Sequence, residues 1–110
     1  MISEDTLNRL KNNWPFADNL ACFVECRVYD PVSNAEWYLI ACNPDNEDTF
    51  ACIVAAQGVE LETISMSDLI AAAQASGRDL LLDEDFPRMK SMQVWSRLKR
   101  LRRQAYDVQT

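Results

Sequence analysis

Nucleophiles and metal ligands limit what this chain could catalyse. It holds Cys22, Cys26, Cys42 and Cys52 and no histidine. Without histidine, Ser-His-Asp and Cys-His mechanisms and the common zinc hydrolase sites lack their base or ligand. Cys22 and Cys26 fall on what reads as one strand. At about 3.3 Å per residue they stand roughly 13 Å apart, too far for a disulfide or a shared metal. No C-x-x-C pair occurs, so no structural zinc site is expected. The four thiols are expected to be reduced and buried as small hydrophobes. Cys26 beside Arg27 could be activated, but its apolar strand favours an inert thiol.

The carboxylates offer little more. Asp45, Glu47 and Asp48 could hold a divalent cation, but the segment lacks the central glycine and distal glutamate of an EF-hand, and a solvated turn is expected. Glu60 and Glu62 alternate on one strand face, which fits an outer strand charged against aggregation. Gly58 and Gly77 are the only glycines, and neither lies in a phosphate-loop context. No lysine falls between Lys11 and Lys90, so a nuclease pairing sheet carboxylates with a lysine is hard to build. The expectation is a protein that is not an enzyme, with no catalytic residue, metal or cofactor.

Charge is more informative. Residues 1 to 87 carry 16 Asp or Glu against 4 Lys or Arg, a net of −12. Residues 88 to 110 carry 7 Lys or Arg against 1 Asp, a net of +6. Spread carboxylates can imitate a row of phosphates and occupy a basic groove on another protein. The alternative is a surface that only solubilises. The candidate partner-binding residues are Glu25, Asp45, Glu47, Asp48, Glu60 and Glu62. The basic end could instead contact nucleic acid through Arg97, Arg100 and Arg103.

The elements follow from pattern. Ser3 is placed to cap a helix over residues 3 to 13, with Glu4 and Asp5 at its positive end and Ile2 as a staple. Residues 20 to 65 read as strands: LACFVECRVYD, EWYLIACN, TFACIVAA and VELETIS. In the first, Leu20, Cys22, Val24, Cys26 and Val28 should share one face, with Glu25 on the other. The second and third are apolar on both faces, which marks central strands. Short turns between them favour an antiparallel meander. Ser65 to Asp68 opens a second helix, and Gly77 suits its C-terminal stop. Residues 79 to 82 could add a short edge strand. From about Arg88 a last helix carries Val94, Trp95, Leu98 and Leu101 along one stripe, which needs a dry partner.

The runs Val28-Tyr29-Asp30-Pro31, Glu36-Trp37-Tyr38-Leu39, Asp48-Thr49-Phe50-Ala51, Glu60-Leu61-Glu62-Thr63-Ile64-Ser65-Met66-Ser67-Asp68-Leu69 and Arg78-Asp79-Leu80 resemble a known pattern. It is that of a small bacterial domain of unknown function frequent on plasmids, conjugative elements and prophages, the DUF two-nine-five-eight type. The resemblance covers residues 20 to 85 or so. Ala51 and Glu62 stand where that family has glycine, and Gly77 where it has glutamate. The resemblance implies a fold type and a mobile-element setting, and supplies no site residues.

The chain is therefore expected to form one α+β domain. A four-stranded, mainly antiparallel sheet carries N-terminal, post-meander and C-terminal helices. Residues 1–87 form an acidic body. Residues 88–110 form a basic amphipathic helix packed on that body or on a second subunit, as in a homodimer. No apolar run reaches the roughly 20 residues of a membrane span. The N-terminus does not read as a signal peptide, so the expected location is cytoplasmic. The expected role is an interaction protein, such as an anti-defence factor, that inhibits or regulates a basic, nucleic-acid-binding protein. The alternative is a small nucleic-acid-binding protein using its last helix.

Overall fold

The computed structural model describes residues 2–109, with side chains followed as far as Leu101. Helix α1 (Glu4–Asn13) starts where Ser3 Oγ accepts the Thr6 N–H, satisfying one of the free donors of the first turn. Ile2 and Leu7, at the two staple positions, both pack against the same apolar cluster. A 3-10 turn follows at Trp14–Asn19, with proline near its start.

Among the described residues seven strands follow: β1 (Phe23–Val24), β2 (Cys26–Tyr29), β3 (Glu36–Asn43), β4 (Asn46–Ala55), β5 (Val59–Ser65), β6 (Leu81–Asp83) and β7 (Met89–Lys90). The main sheet has five strands in the order β5-β4-β3-β2-β6, and every neighbouring pair is antiparallel. The four-strand expectation is thus one strand short. Residues 81 to 83 complete the sheet beyond β2, where Leu82 faces Val28. β1 and β7 form a separate two-stranded ribbon.

The single first strand of the sequence pattern is also corrected. It breaks at Glu25 into β1 and β2. Glu25 N–H still donates to Leu39 O at 3.0 Å, so the chain stays beside β3 while its side chains change sides. Cys22 and Val24 lie in one core layer, Cys26 and Val28 in the other. Strict alternation had put all four together. β3 has a comparable irregularity between Leu39 and Ala41, and there Ile40 and Ala41 join the same layer.

One layer packs under α1 and α2 (Met66–Ala75): Leu10, Cys26, Val28, Leu39, Cys42, Phe50, Cys52 and Met66. The other packs under the 3-10 turn, the ribbon and α3 (Ser91–Gln109): Cys22, Val24, Tyr38, Ile40, Ile53 and Val94. Having both faces covered explains why β3 and β4 are apolar on both sides. α2 is capped as the sequence suggests. Ser65 Oγ accepts the Asp68 N–H, and Gly77 at φ +73° lets Arg78 N–H reach Ala73 O at 2.9 Å. The last helix begins at Ser91 rather than Arg88, because Met89 and Lys90 pair with β1 first. Among the described residues no helix is long and apolar enough to cross a membrane.

Candidate functional site

The acidic surface separates into carboxylates tied up inside the fold and carboxylates left outside. Glu25 belongs to the first group and is withdrawn as a surface residue. It is 5 % exposed, and the break between β1 and β2 aims it at two arginines. Arg9 Nε of α1 donates to one carboxylate oxygen at 3.0 Å, and Arg88 Nη2 donates to the other at 3.2 Å. Arg88 also covers the Phe23 ring at 4.4 Å. Glu25 thus ties α1 and the segment before α3 to the middle of the chain, and its burial keeps it from a partner.

Asp30, equally buried, caps its own turn. Burial works against its charge. The N–H groups of Val32 and Ser33, the Ser33 hydroxyl and Arg78 more than offset this and hold the carboxyl below its ordinary value. Arg78 Nε lies 2.7 Å from Asp30 Oδ2 but finds no acceptor in hydrogen-bonding geometry, so that contact is ionic. Arg27 pairs with Glu36 at 3.6 Å and Asp83 at 3.4 Å. Lys11 pairs with Glu47, which removes Glu47 from the uncompensated set.

Asp48 lies on β4 instead of in a turn, since the hairpin closes at Asn43 to Asn46. It accepts the Ser65 and Ser67 hydroxyls at 2.5 and 2.7 Å and the Ser67 N–H at 2.8 Å, which fixes the start of α2. These bonds lower its pKa. Its chemistry is a helix cap with an exposed rim. Asp45, Glu60 and Glu62 remain free of any basic side chain among the described residues. Glu60 and Glu62 share a face of β5, and the neighbouring Glu60 carboxylate, which can accept the Glu62 proton, raises the pKa of Glu62.

The stripe of α3 divides too. Val94 is buried in the core, and Trp95 and Leu98 pack beside it. Leu101, 47 % exposed, does not belong to the buried interface. It lies at the lip of a cleft of about 240 Å³ shared with Arg27, Tyr38, Phe86, Met89 and Arg97. Sequence patterning missed this cleft, because Phe86 and Met89 sit in a segment with no periodicity; Phe86 meets the Tyr38 ring edge-on at 5.4 Å. Arg97 and Arg100 are exposed. Arg103 lies outside the residues whose side chains are described.

The thiols offer no nucleophile. All four are buried, and burial pushes Cys26 and Cys52 up to about 12. Burial also raises Cys22 and Cys42. Among the described residues no three Cys, Asp or Glu side chains converge as a metal site. Compared with protein-family models, curated proteins and solved structures, the chain matches none of them.

Proposed function

We propose that this chain is a non-enzymatic interaction protein that engages a basic protein partner through its acidic body. Occupying a surface that otherwise holds nucleic acid would inhibit or regulate that partner. One observation carries the reading. All four basic side chains of residues 1–87 are committed to internal ion pairs, with Glu25, Glu47, Glu36, Asp83 and Asp30. The remaining carboxylates of the body meet no basic side chain among the described residues, and nearly all are exposed. The body's negative field is therefore directed outward. The mobile-element setting rests on the sequence resemblance alone, which no family model matches.

The test is affinity capture from the native host at low and high salt. A supporting result is a basic partner released by salt and by added duplex DNA, and lost from an Asp45→Lys, Glu60→Lys, Glu62→Lys variant that keeps its fold. Capture that the variant leaves unchanged would refute the reading.

A second reading is direct nucleic-acid binding through α3. It rests on Arg97 and Arg100, which are exposed and without an acidic partner among the described residues. Truncation at Pro87 is a poor test, since Ser91 and Val94 are core residues. Arg97→Glu with Arg100→Glu leaves the core alone. Binding to a short duplex should then fall, with a shallower salt slope.

A further inference from the structure

The sheet has two open edges, and they differ. β6 offers three residues. β5 offers seven, paired to β4 without a bulge or register shift from Val59 to Ser65. It contains no proline and no lysine. Its middle, Glu60 to Thr63, is exposed on both faces, including Leu61 at 38 %. An antiparallel strand points roughly half of its N–H and C=O groups away from its partner. An edge this long and regular is a template for strand addition unless something discourages it.

The side chains determine which strand could add. Glu60 and Glu62 lie on one face, and Leu61 and Thr63 on the other. A second copy pairing edge to edge would bring glutamates against glutamates, and like charges across a ladder are destabilising. Glu60 and Glu62 alternate on that face with no basic side chain beside them among the described residues, and the crowding raises the pKa of Glu62. A basic strand would relieve it.

We propose that the outer edge of β5 is a docking site for an extended basic segment of a protein partner. The segment adds as a sixth strand, with lysine or arginine opposite Glu60 and Glu62 and an apolar side chain opposite Leu61. This names the site and the partner chemistry for the acidic-surface reading above, and rests on it. Main-chain pairing supplies the attachment, and the two glutamates select the sign of charge.

The probe is a blocked heptapeptide of alternating lysine and valine, titrated into the full-length protein at low salt. The expected result is slowed amide exchange at residues 59 to 65. The Glu60→Gln, Glu62→Gln variant should bind about tenfold more weakly, the scale of losing two exposed ion pairs. Two further peptides are N-methylated, one at every lysine and one at every valine. Alternate N–H groups of a strand point to opposite edges, so only one of these peptides should lose binding.

Absence of binding overturns the proposal. So does equal binding by both methylated peptides, an unaffected glutamine variant, or a dimer of the protein itself with β5 protected. A captured basic partner that leaves β5 amides unprotected overturns this docking site while leaving the broader acidic-surface reading intact. Peptide bound at β5 with no basic partner captured does the reverse.

Discussion

Val94→Asp and Leu101→Asp place the same charge on the same helix, two turns apart, and differ in what surrounds it. Val94 is 3 % exposed and Leu101 47 %. Removing the buried valine forfeits about 2 kcal/mol of apolar burial. An aspartate there adds at least about 2 kcal/mol for a polar group desolvated without a partner. The loss of about 4 kcal/mol is a large share of the total stability of an ordinary domain. At about 4 °C per kcal/mol, the midpoint should fall by at least roughly 15 °C. Leu101→Asp loses about half of a leucine's burial, roughly 1 kcal/mol and about 4 °C. Thermal melts followed by near-ultraviolet circular dichroism read both, and sedimentation checks the mass. Equal losses would refute the seating of α3 through its first turns. No loss in either variant would mean the helix does not rest on the sheet. A fall in mass with Leu101→Asp would assign the outer stripe to a second subunit.

Thiol titration at pH 8 should find almost no reactive group in native protein and about four after unfolding, since all four thiols are buried and burial keeps Cys26 and Cys52 protonated. Gly77→Ala should cost about 1 kcal/mol from backbone strain alone, because φ is +73° and nothing lies within 4 Å of an added methyl; a urea titration measures it. The raised pKa of Glu62 means the folded state holds that proton more tightly than the unfolded chain. Its contribution is favourable below its ordinary value of 4.5 and is lost as pH rises through the folded value. Glu60→Gln should therefore raise the melting temperature by about 2 °C at pH 7, from relief of like charges, and by less at pH 4.

The local signals were legible because they are short-range. Ser3, Ser65 and Gly77 cap helices through atoms a few residues away. The doubly apolar pattern of β3 and β4 reported that both faces would be covered. What escaped the sequence was set by distant partners. Glu25 looked like the outward residue of an alternating strand. Its burial depends on Arg9, 16 residues before it, and Arg88, 63 residues after it. Glu47 and Asp48 read as free carboxylates for the same reason: the groups that occupy them, Lys11, Ser65 and Ser67, lie on other elements. Met89 and Lys90 show no strand pattern, because their pairing is with β1 across the fold.

The side change at Glu25 also bears on how the chain is made. The layer beneath α1 and α2 draws on residues up to Leu82. The opposite layer has no Phe86, Met89, Val94 or Leu98 over it until residues 86 to 98 have left the ribosome. During synthesis the part of the Tyr38, Ile40 and Ile53 face that Trp14, Ala17 and Leu20 do not cover is thus left exposed on the emerging body. Such half-covered intermediates are the species that aggregate or recruit chaperones. The strong negative charge already present by residue 87 would keep neighbouring nascent chains apart through that interval, a service rendered before the mature surface exists.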